Sequence, residues 1–231
     1  LILAIAIYAG WLLLTYYWAS IPLVVLILAG GWLIAWHGSL QHDVQHGHPT
    51  RFRVGNSCNA PPPISLWLPY SLYKRAHLKH HNDEWLTDPI EDPESYYLTG
   101  PSWQNMGAFG RAITHANNTL PGRLILGPII AVLALWNHEI GNFLRGDFRH
   151  ASCWLLHVVG VTLVLTWVLA ICGMPFWLYL CLAYAGLSFS RLRSFAEHHY
   201  AETKEERTAL VENAPAFGLL FLYNNLHIVH H

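Results

Sequence analysis

Apolar residues run along this chain in two long uninterrupted blocks separated by a polar middle. Residues 1–42 contain no Asp, Glu, Lys or Arg, and neither do residues 150–190. Turn-forming residues break each block near its centre, Ser20-Ile21-Pro22 in the first and Cys172-Gly173-Met174-Pro175 in the second. A helix that crosses a bilayer needs roughly 20 apolar residues, so each block predicts two spans joined by a tight turn, at about 1–19, 22–40, 152–172 and 175–192. Two further stretches are apolar without being spans. LILGPIIAVLALW (124–136) is short and holds Pro128, which predicts an interfacial or re-entrant segment. ISLWLPYSLYKRAH (64–77) has Lys74 and Arg75 near its end and predicts a helix lying at headgroup level and carrying the second histidine cluster. The fold class expected is all-α integral membrane: four transmembrane helices as two hairpins, with a helical cap from 43–150 and 193–231, in a single domain covering 1–231.

Charge sets the orientation. All 13 Lys and Arg lie within 51–149 or 191–207, on one side of four spans, and Lys/Arg excess marks the cytoplasmic side. The cap and the N-terminus are therefore expected in the cytoplasm. The first block lacks the charged n-region and cleavage site of a removed signal and is expected to stay as a span. With a net charge of −1 and dispersed cations, nothing points to nucleic acid, and none is expected as a partner. Cys58, Cys153, Cys172 and Cys181 show no CxxC spacing and read as buried thiols.

The chemistry lies in the 16 histidines. HLKHH (77–81) and HIVHH (227–231) repeat one pattern, and random placement gives only roughly 0.1 such patterns per chain. Residues i, i+3 and i+4 share one helix face, so His77, His80 and His81 can converge, as can His227, His230 and His231. HDVQH puts His42 and His46 at i, i+4 where the second span leaves the membrane, and EHH (197–199) offers His198 or His199 after the fourth. Imidazole suits zinc, copper, iron or nickel. Eight box histidines and one more exceed the four or so ligands of a tetrahedral zinc and fit two metals of higher coordination. Other histidines carry less. His37 and His157 sit in or near spans and need one hydrogen bond each; His48 follows the first box; His115 and His150 read as solvated; His138-Glu139 opens like HExxH but Asn142 breaks that motif.

HDVQH, HLKHH and HIVHH, with the lone histidine of SFAEHH, resemble the histidine boxes of the membrane fatty acid desaturase and hydroxylase superfamily, in order, spacing and placement over nearly the whole chain. The resemblance implies a di-iron centre, two Fe2+ ions held by His42, His46, His77, His80, His81, His198, His227, His230 and His231. His198 is preferred to His199 as the histidine of the family's EH pair. Ser194 stands where some relatives have an Asn that holds a water. Asp43, Asp83 and Glu197 flank ligands and are candidate acceptors for ring N–H groups, and His199 and Asn225 also adjoin the boxes.

The activity so implied is an O2-dependent oxidoreductase acting on an aliphatic lipid chain, a fatty-acyl desaturase before a hydroxylase or ketolase. With no GxGxxG fingerprint and no ferredoxin cysteine set, electrons must come from an external donor of ferredoxin, rubredoxin or cytochrome type. A metal transporter would place ionisable groups near mid-bilayer; the spans hold no carboxylate, which argues against it. Trp32, Trp36, Trp154 and Trp167 suit a wall of the acyl path or, more simply, interfacial anchoring and packing. TDPIEDPESYY (87–97), with two Asp-Pro turns, reads as a rigid solvated connection; it also resembles a stretch that follows the second box in some bacterial desaturase-like proteins, where it could contact a head group or the donor.

Overall fold

Every regular element among the described residues of the computed structural model is helical, apart from one isolated bridge between His198 and Thr208. The structure describes residues 2–47, 62–81, 83–203 and 206–223. The described residues are all-α, as the patterning predicts. Helix α1 (Ile2–Tyr16) leads through a 3-10 turn, Trp18–Ser20, into α2 (Leu23–Gln45). Pro22, whose fixed φ suits the start of a helix, occupies the N-cap. Helix α2 does not stop where the apolar residues do, and HDVQH winds onto its last turn with His46 as C-cap. Helix α3 (Tyr70–His80) carries the second box. Four helices follow, α4 (Gly100–Asn105), α5 (Ala108–Asn117), α6 (Leu120–Ile125) and α7 (Gly127–Leu144). Thr99 and Thr119 cap α4 and α6 by accepting from the N–H of Ser102 and Gly122. Helix α8 (Ala151–Leu165) continues through a π turn, Thr166–Ile171, and α9 (Phe176–Glu197) and α10 (Pro215–Phe221) complete the set.

Two of these are long and apolar enough to cross a membrane, Leu23–Gln45 and the continuous helix Ala151–Ile171. Helix α9 is as long, but its last two turns carry Arg191, Arg193 and Glu197. Helices α1, α2, α8 and α9 share one core, in which Trp11, Leu26, Val164, Leu178, Tyr179 and Leu182 are all buried. Helix α9 lies along α2 and meets the α8 helix mainly through its π end. Small residues allow that approach: a Cβ placed on Gly31 would stand 2.6 Å from Ala185 Cβ and 3.1 Å from the Gly186 nitrogen, and one on Gly186 would collide with Ile34. Close backbone contact at glycine is how helices associate where burial of apolar surface supplies no drive.

The structure departs from the pattern-based expectation at 64–77. The helix begins only at Tyr70, and Ile64 ahead of it is fully buried in the four-helix core instead of lying at a surface. Residues 124–136 fall across two helices, with Leu126 at the junction of α6 and α7. One face of α7 exposes Ile129, Leu133, Trp136, Ile140 and Leu144. Its other face buries Glu139, whose carboxylate accepts from His150 Nδ1 at 3.1 Å and Trp154 Nε1 at 2.8 Å, fastening α7 to the start of α8. His150 is therefore paired, not simply solvated. Further indoles also knit elements together: Trp11 Nε1 donates to Tyr179, Trp18 Nε1 to the Cys172 carbonyl, Trp167 Nε1 to Thr15 and Trp36 Nε1 to the Leu219 carbonyl.

Candidate metal centre

The end of α2 and the end of α3 meet, and their histidines turn towards one another. One donor atom from each of His42, His46, His77 and His81 lies within 4.8 Å of the others, a grouping that could hold a metal ion. Within it, His77 Nε2 is 3.0 Å from His46 Nε2 and 3.0 Å from His81 Nε2. Two nitrogens bound at about 2.1 Å to one ion stand roughly 3.0 Å apart at a right angle and 3.4 Å apart at a tetrahedral one. The spacing thus suits neighbouring ligands of a single metal. His80, on the same helix, turns another way, and its Nε2 is 2.9 Å from His198 Nε2. The box histidines are therefore divided between two poles.

His198 is buried beyond the last turn of α9, in extended backbone. His199 is exposed, and its N–H donates to the Arg207 carbonyl. His227, His230, His231 and Asn225 lie outside the described residues, as do His48 and Cys58. A small cavity beside the His80–His198 pole is lined by Asp92, Glu94, Ser194 and Glu197, which places Ser194 and Glu197 near that pole.

The rings are oriented from behind. His80 Nδ1 donates to Asp92 Oδ1 at 2.8 Å, His77 Nδ1 to Glu94 Oε1 at 3.1 Å, and His42 Nδ1 lies 3.4 Å from Asp43 Oδ1. A carboxylate on Nδ1 leaves Nε2 as the lone-pair donor facing inwards, the arrangement that metal-binding imidazoles adopt. Asp43 is as expected a neighbour of His42. Asp83 opens a 3-10 turn, Asp83–Trp85, and its side chain is outside the described set. The two shortest contacts come from residues that the sequence left unassigned, Asp92 and Glu94, in the loop read as a solvated connection. That loop is folded back onto α3. Asp92 is buried and also accepts from the N–H groups of Thr87 and Glu94 at 2.9 and 2.8 Å. Thr87 has φ +67, an outlier for a β-branched residue, held by its own N–H on Asp92 and by Ser95 Oγ on its carbonyl.

The electrostatics follow from this packing. Burial opposes the charge on His80, but the bond to Asp92 and the nearby Glu94 outweigh it and raise its pKa. Burial likewise opposes ionisation of Glu94, and is overcome by the hydrogen bond from His77, which brings the carboxyl down to about 2. Glu197 is raised by burial even though Arg193 lies 3.1 Å away. Arg193 Nη1 also donates to Ser39 on α2 at 3.2 Å, and its guanidinium lies close enough to Tyr73 on α3 to interact with that hydroxyl, so one side chain links the three helices that present the boxes. Tyr96 adds a further hold by donating to the His198 carbonyl at 2.9 Å. Arg123, fully buried, stacks on the Tyr96 and Phe195 rings at 5.0 and 4.2 Å.

Comparison with curated proteins returns no match, and comparison with solved structures returns none. The family model for fatty acid desaturase does match, over residues 16–231, a stretch containing helices α2 to α10 and all the histidine boxes; the chain belongs to the fatty acid desaturase family.

Proposed function

We propose that this chain is a multi-pass membrane di-iron oxidoreductase that introduces a double bond into a fatty-acyl chain, using O2 and an external electron donor. The observation that carries this reading is the convergence of four histidine donor atoms within 4.8 Å from two helices of a desaturase-family protein. His42, His46, His77 and His81 would hold one iron. His80 and His198 would contribute to the second, together with His227, His230 and His231. A bound iron pair supplies the capacity to activate O2 and to take hydrogen from an unactivated C–H bond. The chain's own residues do the rest. Asp92 and Glu94 fix ring orientation, and Arg193 fixes the three helix ends relative to one another.

In this reading α1, α2, α8 and α9 are the four spans, and the boxes, the cap and the N-terminus face the cytoplasm, in one domain over 1–231. The exposed apolar stripe of α7 suits a helix seated in the membrane surface.

The test is metal analysis of the detergent-purified chain, alone and as His80→Ala with His230→Ala, beside a lipid profile of expressing cells. About two irons per chain, lost in the double variant, with a new unsaturated acyl product, support the reading. Failure to bind iron after growth in iron-replete medium removes it, and a hydroxylated product reassigns the reaction while keeping the centre.

A further inference from the structure

The segment ahead of the second box carries an inference of its own. Residues 62–69 have no helix, yet they enter the bundle. Ile64 is completely buried and belongs to the same core cluster as Trp11, Leu26, Val164 and Tyr179. Pro63 rests against Gly160, where an added Cβ would come within 2.7 Å of the proline ring, and Gly160 stands near the midpoint of the helix Ala151–Ile171. Inside a bilayer, backbone without helix or sheet survives only if its polar groups are satisfied by protein. At the buried part of the segment they are. The Ile64 N–H donates to the Pro62 carbonyl at 2.9 Å and the Leu66 N–H to that of Pro63 at 3.0 Å. Two of its carbonyls are met by neighbouring helices: Tyr179 Oη on α9 donates to Ile64 O at 2.7 Å, and His157 Nε2 on α8 donates to Leu66 O at 3.1 Å. Leu66 holds φ +68, an uncommon conformation for a leucine that persists only where the surroundings fix it.

We propose that residues 62–69 form a re-entrant plug between α8 and α9 that anchors the inner end of α3, with His157 and Tyr179 as the positioning residues that hold it. Pro69 at the end of the plug is the N-cap of α3. The 11 residues of that helix rise ~16 Å, about half of a ~30 Å hydrocarbon core. The plug lies deeper in the bundle than the start of α3, where Tyr70 packs against Ala4, Ile7, Leu40 and Val44, and from there α3 delivers His77, His80 and His81 to the level where α2 delivers His42. The depth and tilt of the box are set from inside the membrane, through two side chains remote from it. This rests on the four-span reading above.

The experiment uses the full chain in nanodiscs with Cys58, Cys153, Cys172 and Cys181 replaced by serine. Ile64→Cys reports the plug through its reaction with a membrane-impermeant maleimide, and cobalt(II) uptake with its visible spectrum reports the box. Ile64→Cys is expected to stay unreacted while Ser102→Cys, in an exposed helix, labels freely. Combining Tyr179→Phe with His157→Leu should leave helicity intact, raise labelling at Ile64→Cys and weaken cobalt binding about tenfold with an altered spectrum. His157→Gln, which keeps a donor, should restore much of both. Gly160→Ala, a single methyl against Pro63, gives a second perturbation should the double variant not fold, and should shift the cobalt spectrum in the same direction. Labelling of Ile64→Cys as fast as Ser102→Cys overturns the plug. Unchanged cobalt binding in a variant whose plug has become reactive overturns the positioning role. His80→Ala separates the two ideas, since it should lose cobalt while Ile64→Cys remains protected.

Discussion

An imidazole that offers Nε2 to a metal must park its Nδ1 proton, and Asp92 and Glu94 take that proton's hydrogen bond for His80 and His77. Asp92→Asn keeps the shape and removes the charge. It should weaken metal binding by about 10–100-fold, read by titrating the purified chain with cobalt; an unchanged affinity would deny Asp92 this role. Arg193 acts by a different route. Its side chain and that of Glu197 are both nearly buried, and removing one member of such a pair strands the other. Arg193→Met should cost about 3–5 kcal/mol in denaturant unfolding, with most of it recovered when Glu197→Gln is added. The grouping of His42, His46, His77 and His81 was legible because helix geometry fixes which histidines share a face, although that same geometry did not show that His80 turns to His198. Asp92 and Glu94 were not, because nothing local to Asp-Pro-Glu says that the loop folds back over α3. That closure depends on Thr87 at positive φ and on its backbone bonds with Asp92 and Ser95.

Helices and apolar stretches end for different reasons, and the four core helices show the difference. Hydropathy marks where a segment leaves an apolar medium; a cap marks where the backbone stops winding. Helix α2 runs on to Gln45 and α9 to Glu197, beyond the expected ends at about 40 and 192, and both overruns carry site residues. The sequence showed the turns at Pro22 and Pro175 well. It did not show that α9 packs along α2, since glycines at 30, 31 and 186 mark a close approach without naming the partner. Gly31→Leu should push α9 away from α2 and cost about 1–3 kcal/mol through overpacking, seen as a lower thermal midpoint in detergent with a loss of bound metal. An unchanged midpoint would mean the contact is looser than its 2.6 Å clearance implies.

For the molecule as a whole, the candidate ligands come from elements far apart in sequence. His42, on α2, and His198, just past α9, are 198 − 42 = 156 residues apart in sequence, so two bound ions, one at each pole, would together fasten α2, α3 and the segment after α9. Stripping metal with a chelator should therefore lower the unfolding midpoint, with restoration on readdition; a midpoint indifferent to metal would argue that these ends are fixed by protein contacts alone. Thiol labelling tests the crossing pattern, since Ser20→Cys in the first turn should react only from the outer face and Ser102→Cys only from the cytoplasm.

The glycine contact has one more consequence. From Gly31 to His42 is 42 − 31 = 11 residues, and from Gly186 to Glu197 is 197 − 186 = 11. Eleven residues complete just over three whole turns, ~16 Å of rise, so on each helix the contact and the site keep nearly the same azimuth. The two helices are matched rulers. A one-residue deletion in either would swing its site end by about 100° while the glycines stayed in register. Length can drift in the connections between α4 and α6, but these two segments tolerate no change that is not made in whole turns, and none made in one of them alone.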